Sequence, residues 1–384
     1  MGNFDLPEKF EEFSEARRNG FIKAKELKEN GGRLAGIFCT FTPLEIFDAA
    51  QVIPVSLCGM SDETIPAAEV NLPKNLCPLI KSSYGFAVSD KCPYTYFSDI
   101  IVGETTCDGK KKMYEMLGEL KDTYILHLPQ GIDRPYALDM WKSEIILLKE
   151  KLEQKFGIKI TEDDIRLACD ERNKEREVKI RLFELNKSTP PKSYYMNLHK
   201  VVDSLNFSFN RKEDLKKIEE VINQIEDNFN KGERPVDENA KRIMITGCPI
   251  SGVLDKTVGE IERNGACVVV MDNCNGIKTA RNMIDPNAPD IYEAIAKRYM
   301  NVACAVMTPN TNRMNQLREL VDEYKVDGVV DVVLQSCHPF DVEKYKISKL
   351  CKELNVPYLP IETDYSKTDV GQLSTRFQAF LEML

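Results

Sequence analysis

The chain has 384 residues, a formal net charge of −9 and 42% hydrophobic residues. This length is sufficient for two or three domains, and the acidic charge argues against nucleic acid and anionic membranes as partners. No apolar run approaches the ~18 residues of a membrane-spanning helix, and the charged first twenty residues do not resemble a secretory signal. We therefore expect a cytoplasmic protein without membrane contact.

The first third of the chain alternates between helical and strand patterns. Apolar, β-branched segments predict strands at 33–38, 52–57, 97–104 and 123–128. Amphipathic or capped segments predict helices at 7–31, 42–50, 78–88 and from residue 110 onward. The acidic segment 62–76 contains two prolines and is interpreted as a loop. Such alternation is typical of a parallel sheet, so residues 1–133 are predicted to form an N-terminal α/β domain.

The middle of the chain has a different character. Residues 134–240 carry helical periodicity and dense charge without strand patterns, with helices predicted at 141–156, 162–185 and 212–230. We interpret this stretch as a helical connecting region and its charge runs as solvated helix faces.

Alternation resumes in the last third, which is predicted to be a C-terminal α/β domain at 241–384. Predicted strands lie at 242–246, 266–271, 328–334 and 357–361. Predicted helices lie at 253–263, 291–300, 342–354 and 374–384. The fold prediction is α/β: two flavodoxin- or Rossmann-like domains with parallel sheets, joined by a helical region. The two halves look like weak repeats of one plan.

Twelve cysteines are a high count for such a chain. Disulfides are disfavoured in the cytoplasm, so metal binding, catalysis or burial must account for them. The absence of any CxxC pair argues against a zinc ribbon and against a thioredoxin-type pair. If these cysteines bind metal, the ligands must therefore converge from distant segments.

Six cysteines follow predicted strands directly or within a few residues: Cys39, Cys58, Cys107, Cys248, Cys274 and Cys337. Open α/β sheets place ligands at the carboxyl edge of the strands. Cys77 precedes a helix that begins with Pro78, a residue suited to the first helical position. We expect these seven cysteines to gather at the carboxyl edges of two facing sheets.

The other five cysteines are predicted to lie elsewhere. A helix rises ~1.5 Å per residue, so helix 78–89 carries Cys92 roughly 20 Å from Cys77, toward the far edge of the sheet. The remaining four are expected to be buried as small hydrophobic residues: Cys169, Cys267, Cys304 and Cys351.

Thiolates select soft or borderline metals, and a cysteine shell with only three histidines favours iron–sulfur over catalytic zinc. From the pattern alone, iron–sulfur binding, zinc binding and plain burial all stay open. Of the histidines, only His338, beside Cys337, is placed for chemistry. Lys110 to Lys112 begin a helix after Cys107, where they either contact an anion or coenzyme or form a solvated turn. No phosphate-binding loop is recognisable.

Several segments resemble the 2-hydroxyacyl-CoA dehydratase and benzoyl-CoA reductase family. They are CPLIKSSYGFA, TTCDGKKKMYE, TGCP, DNCNG, VDGVVDVVLQSCHPFDVE and IETDYS…DVGQLSTRFQAF. The similarity covers nearly the whole chain. Within that family the additional cysteines Cys39, Cys92 and Cys248 are most similar to the double-cubane cluster proteins, whereas dehydratase subunits typically supply three cysteines to one 4Fe–4S cubane.

The resemblance implies three ligands for a first cubane: Cys77, Cys107 and Cys337. Double-cubane proteins hold two sulfide-bridged 4Fe–4S cubanes, so three more cysteines are needed. The placement of cysteines at strand ends nominates Cys39, Cys248 and Cys274, with Cys58 as the first reserve. Cys92 fits the subfamily pattern, but its distance from Cys77 keeps it out of the predicted ligand set.

The resemblance also implies an activity and partners. The expected function is low-potential reduction of a small substrate by a homodimer, with electrons from an ATP-hydrolysing 4Fe–4S reductase of the activator type, itself a homodimer. Ser82, Ser83 and His338 are the candidate catalytic residues, because they lie near the predicted cluster in sequence. One alternative is a subunit of a 2-hydroxyacyl-CoA dehydratase that forms a ketyl radical at a single cubane. A second is an electron carrier or cluster-storage protein.

Overall fold

The computed structural model describes residues 5–384. The chain divides into two compact units. Unit 1 comprises the described residues up to Arg172 together with Ile284–Met300, and unit 2 comprises Asn173–Met283 and Asn301–Leu384. Each unit contains a four-stranded parallel β-sheet flanked by helices.

Within residues 5–384 eight strands form, and each overlaps a segment in which the sequence predicts a strand. They are β1 Arg33–Ile37, β2 Val52–Ser56, β3 Ile100–Glu104, β4 Thr123–Leu126, β5 Arg242–Gly247, β6 Cys267–Asp272, β7 Gly328–Leu334 and β8 Tyr358–Thr363. The sheet order is β2-β1-β3-β4 in unit 1 and β6-β5-β7-β8 in unit 2, with all neighbouring strands parallel. The predicted α/β class with two parallel sheets is confirmed.

The α-helices are α1 Glu15–Glu29, α2 Leu44–Ala49, α3 Ile65–Ala68, α4 Pro78–Val88, α5 Pro93–Phe97, α6 Asp108–Leu117, α7 Ala137–Phe156, α8 Glu162–Glu184, α9 Tyr195–Ser204, α10 Arg211–Asn230, α11 Glu260–Arg263, α12 Ile291–Met300, α13 Thr311–Glu323, α14 His338–Leu354 and α15 Val370–Glu382. Residues 134–240, all of which the structure describes, contain α7 to α10 and no strand. The boundary between the units at Arg172 falls within α8. Within residues 5–384, no helix is long and apolar enough to cross a membrane.

Strands β3, β5, β6 and β7 are buried at every position. Helices cover both faces of such a parallel sheet, so its strands are nearly continuous apolar runs. Arg242, the first residue of β5, is one polar exception and lies at the amino edge of its sheet. Four others, each with 0% exposure, lie in the middle or the carboxyl half of their strands: Glu104 in β3, Thr246 in β5, Asp272 in β6 and Asp331 in β7. Buried polar groups require partners, so these four residues mark the edge at which polar chemistry gathers.

Some helices differ from the predictions. The predicted helix at 253–263 is divided into a 3-10 turn (Ser251–Val253), a π-helical turn (Asp255–Gly259) and α11. The segment predicted as loop at 62–76 contains the short α3. Helix α13 was not predicted, because its buried face includes Arg313 and Gln316 beside Leu317 and Leu320, which conceals the apolar periodicity.

Candidate functional site

The two units place cysteines at corresponding strand ends. In unit 1, Cys39 and Cys58 lie two residues beyond β1 and β2, and Cys107 lies three residues beyond β3. In unit 2 the equivalent positions belong to Cys248, Cys274 and Cys337. The three strands in each set are adjacent, so each sheet carries a row of three cysteines along its carboxyl edge. This is the edge at which parallel sheets bind ligands.

Lys110 lies among the three strand-end cysteines of unit 1. Its Nζ donates to the carbonyl oxygen of Phe38 at 2.9 Å, and the Cys58 thiol donates to the same oxygen at 3.2 Å. The ammonium also interacts electrostatically with Cys39, Cys58 and Cys107. One cation therefore faces all three thiols.

The charge environment keeps Lys110 protonated. Burial is the largest influence and by itself would lower the pKa of Lys110. Tyr114 and the three cysteines, in their ionised forms, act in the opposite direction and hold this pKa well above its usual value. An ammonium in this position stabilises negative charge on its neighbours.

The other two lysines of this turn are engaged elsewhere. Lys111 pairs with Asp108 at 2.7 Å, and Lys112 pairs with Glu115 at 2.8 Å, with both lysines exposed. These contacts correspond to the solvated-turn interpretation. The sequence also allowed these lysines to contact a bound anion, and of the three it is Lys110 that faces the strand-end cysteines.

Cys77 and Cys107 occupy N-cap positions of α4 and α6. The first turns of these helices are in contact, because a Cβ atom at Gly109 would lie 2.7 Å from Ile80 Cδ1 and 3.0 Å from Leu76 Cδ1. Helix amino termini favour negative charge. Cys77 is buried, and the helix terminus at which it lies is next to the helix terminus of Cys107.

Ser82 and Ser83 are buried in α4, and their hydroxyl groups contact the loop that follows Cys58. Ser82 Oγ donates to the Ser61 carbonyl at 2.6 Å. Ser83 Oγ donates to the Leu79 carbonyl at 2.7 Å and accepts from the Gly59 amide at 2.8 Å. Both side chains thus hold the 59–61 loop against α4, and their catalytic role stays a prediction.

Several buried polar atoms at the edge of unit 1 have no hydrogen-bond partner among the described residues: Thr40 Oγ1, Glu104 Oε2, Thr106 Oγ1 and Tyr114 Oη. The other oxygen of Glu104 accepts from the Thr42 hydroxyl. Burial raises the pKa of Glu104 to about 7. Buried polar groups without partners are rare and call for an explanation, such as a ligand or ion.

In unit 2, Cys248 and Cys337 meet at the last residue of β7. The Leu334 amide donates to Cys248 Sγ at 3.1 Å, and the Cys337 amide donates to the Leu334 carbonyl at 3.0 Å. Asn273, next to Cys274, donates to the Cys248 carbonyl at 3.4 Å. Backbone and amide hydrogen bonds therefore connect the three strand-end loops of this unit.

Lys278 faces Cys274 and Cys304. Its side chain is 2% exposed, and Nζ has no hydrogen-bond partner among residues 5–384. Burial, the largest influence, opposes its charge, but Cys274, Cys304 and Asp272 in ionised form raise the pKa of Lys278. The sequence reasoning predicted Cys304 to be a buried hydrophobic residue. It is buried, yet it lies beside a cation, which no local pattern signals.

The remaining predicted positions are also visible. Cys92 is the N-cap residue of α5. Just beyond that helix, the backbone amide of Asp99 donates to the Leu34 carbonyl at the amino end of β1. Cys92 therefore lies toward the edge away from Cys39. His338 is the exposed first residue of α14. Within residues 5–384, no group of three or more His, Cys, Asp or Glu side chains is placed to hold a single metal ion.

Rows of cysteines on the carboxyl edges of two parallel sheets define a thiol-rich α/β protein. The chain matches the family described as 2-hydroxyglutaryl-CoA dehydratase, D-component, over residues 39–384, a span that contains all twelve cysteines. It therefore belongs to this family, as the sequence motifs predicted.

Three relatives cover almost the whole chain. It is 45% identical to the putative dehydratase subunit YjiM of Escherichia coli (strain K12), with 99% of each chain aligned. It is 23% identical to the (R)-phenyllactyl-CoA dehydratase beta subunit of Clostridium sporogenes, with 94% of each chain aligned. It is 21% identical to the lactoyl-CoA dehydratase subunit beta of Anaerotignum propionicum, with 93% of each chain aligned.

Proposed function

We propose that this protein is an iron–sulfur reductase with a double-cubane cluster. It would reduce a small substrate at low potential with electrons from a partner ATPase. The observation that carries the proposal is Lys110, whose ammonium faces Cys39, Cys58 and Cys107. A thiol set beside a partly buried cation fits an anionic cluster, because thiolates select iron–sulfur clusters and a nearby cation offsets their charge.

The donor chemistry of unit 2 fits the same group. Lys278 is a buried ammonium beside Cys274 and Cys304, and within residues 5–384 it has no hydrogen-bond acceptor. A buried charge needs a partner, and a bound anionic cluster would supply it. When bound, such a cluster supplies low-potential electrons. The protein's own residues would hold it by their thiolates, balance its charge and exclude water.

Two cubanes are proposed because the strand-end cysteines are more numerous than the ligands that a single cubane requires. Each unit carries three strand-end cysteines, whereas one dehydratase-type cubane takes three in all. The proposed ligands are those predicted from sequence: Cys39, Cys77, Cys107, Cys248, Cys274 and Cys337. Cys58 stays in reserve, and its contact with the Phe38 carbonyl beside Lys110 supports its candidacy.

The proposal includes partners and catalytic groups. Electrons would come from an activator-type ATP-hydrolysing 4Fe–4S reductase, and the protein would act as a homodimer. His338, exposed at the start of α14, is proposed as a substrate contact. Ser82 and Ser83 are proposed to shape the site through the 59–61 loop that they hold.

A second candidate function is that of a subunit of a 2-hydroxyacyl-CoA dehydratase. The comparisons favour it, because the family description and all three reported relatives name dehydratases. In this case one cubane held by Cys77, Cys107 and Cys337 would suffice, and Cys39, Cys248 and Cys274 would have no ligand role.

Electron stoichiometry separates the two functions. A reductase consumes electrons in proportion to product, whereas dehydration consumes none in net terms. The protein would be incubated anaerobically with an ATP-hydrolysing iron–sulfur reductase, ATP and limiting dithionite, in the presence of lactoyl-CoA, of phenyllactyl-CoA or of neither. ATP-dependent electron uptake without loss of water from lactoyl-CoA or phenyllactyl-CoA supports the reductase. Many rounds of dehydration per electron would establish the dehydratase instead.

A further inference from the structure

We propose that Cys304 and Lys278 belong to the cluster site of unit 2, with Cys304 as a thiolate ligand beside Cys274 and Lys278 as a positioning cation. This inference rests on the proposed function and adds two residues to it. Neither residue lies directly after a strand, so neither could be found by looking for residues at strand ends, as the other cysteines were.

The first argument is the state of Lys278. Its side chain is 2% exposed, and its ammonium has no hydrogen-bond acceptor among the described residues. Its nearest aromatic neighbour is the ring of Phe340, whose centroid lies 5.6 Å from Nζ. A buried ammonium is costly unless an anion accompanies it. Asp272 also stabilises its charge but is already paired with Arg313 at 2.6 Å. Cys274 and Cys304 are the other groups that would do so when ionised, so thiolates or a cluster bound to them would provide that anion.

The second argument is that a buried network fixes the Cys304 loop. The Asn310 side chain donates to the Cys304 carbonyl at 2.9 Å and to Glu343 Oε1 at 2.6 Å. Glu343 forms an ion pair with Arg313 at 2.8 Å, and Arg313 forms another with Asp272 at 2.6 Å.

Asp272 is the last residue of β6, two positions before Cys274. The network therefore connects the loops of both cysteines through groups that are at most 8% exposed. Placing two cysteine loops precisely is what a shared ligand requires.

Cys351 is another buried cysteine of unit 2 and provides the comparison for Cys304. It lies on the inner face of α14, and burial raises its pKa to about 12, with Asp331 acting in the same direction. Cys304 is also buried, at 5% exposure, but it has the cations Lys278 and Arg313 as neighbours. Cys304 thus has the cationic surroundings that thiolate ligands have, and Cys351 serves as its matched control.

The test of Cys304 uses apo-protein of the full chain and Co²⁺ under anaerobic conditions, with thiolate-to-cobalt charge-transfer absorbance as the readout. We expect Cys304→Ser and Cys274→Ser each to weaken cobalt binding by at least ~10-fold, since even removal of an outer partner of a metal ligand costs 10–100-fold. Cys351→Ser should bind cobalt as the wild type does. Wild-type cobalt binding by Cys304→Ser would overturn the assignment of this residue.

The test of Lys278 uses reconstituted protein and its midpoint potential. Lys278→Met removes a positive charge beside an anionic cluster, so the potential should become more negative, whereas Lys278→Arg should stay near the wild-type value. Equal potentials in all three proteins would overturn the role of Lys278. Wild-type protein that retains no iron or sulfide would refute the proposed function, while the cobalt result decides the assignment of Cys304 independently.

Discussion

The ammonium of Lys110 donates a hydrogen bond to the carbonyl oxygen of Phe38, 2.9 Å away, and Phe38 directly precedes Cys39. This contact connects the first turn of α6 to the end of β1 and brings one positive charge to the cysteine row of unit 1. It distinguishes Lys110 from the two lysines that follow it in sequence.

Lys110→Met should reduce both stability and cluster retention. Loss of the hydrogen bond from a charged donor lowers the free energy of unfolding of the apo-protein by about 1–2 kcal/mol, measured by urea denaturation. Iron bound after anaerobic reconstitution should fall as well. Lys112→Met is the matched control, because its exposed pair with Glu115 contributes under ~0.5 kcal/mol. Equal iron content in the two variants would contradict the role of Lys110.

Arg313 and Arg318 on α13 provide a second matched pair. Arg313 is fully buried between Asp272 and Glu343, whereas Arg318 pairs with Glu353 at 3.4 Å with both side chains half-exposed. Arg313→Met removes the ion-pair partner of two buried carboxylates and should cost about 3–5 kcal/mol. Arg318→Met should cost 0–1 kcal/mol. Urea unfolding of both variants measures the difference, and similar midpoints would show that the buried network does not stabilise unit 2.

Gly59→Ala should disturb the loop after Cys58. A Cβ atom at Gly59 would lie 2.5 Å from Ser82 Oγ and from the backbone nitrogen of Ser83, which cannot move without displacing α4. Such overpacking costs about 1–3 kcal/mol. At Gly371 in α15 no atom lies within 4 Å, so Gly371→Ala should leave stability unchanged or raise it by up to ~1 kcal/mol. Thermal unfolding measures the stability of both variants. An unchanged melting temperature in Gly59→Ala would argue against the close contact between this loop and α4.

Glu262 makes the stability of unit 2 depend on pH. Burial raises its pKa to about 7 from 4.5, although the Tyr195 and Met196 amides donate to its carboxylate. The folded state thus holds this proton more tightly than the unfolded state. Its contribution is fully present below pH 4.5 and is lost as pH rises through 7.

Glu262→Gln should remove this dependence. The free energy of unfolding, measured by urea denaturation, should change less between pH 5 and pH 8 in the variant than in the wild type, by an amount on the order of 1–2 kcal/mol after allowance for partial exposure. An identical pH profile in the two proteins would show that Glu262 does not titrate in this range.

The sequence predicted the strands well because each is an apolar run of β-branched residues ended by polar or turn residues. Cys107 could be placed at a helix amino terminus, because the end of β3 and the start of the next helix are both visible in the sequence. The helix after Cys337 was predicted to begin at residue 342, whereas α14 begins at His338, directly after Cys337. Local patterns do not reveal which residue of a polar turn faces inward. Lys110 could not be separated from its neighbours, because the contact that selects it comes from Phe38, a residue 72 positions away.

Cys304 shows a second limit of sequence reasoning. Its flanking residues are apolar, and burial was the reasonable prediction. Its proximity to Lys278 depends on the loop that Asn310 and Glu343 hold in place. Such long-range polar contacts produce no periodic pattern in the sequence. The same is true of the contacts that bury Arg313, whose charge concealed the helical pattern of α13.

The most direct test of the double-cubane proposal is the content of iron and acid-labile sulfide in anaerobically purified wild-type protein. Two cubanes per chain predict roughly eight iron atoms and a comparable amount of sulfide. Single substitutions of Cys39, Cys248 or Cys274 by Ser should lower the content toward half. About four iron atoms per chain in the wild type, or none, would contradict the proposal.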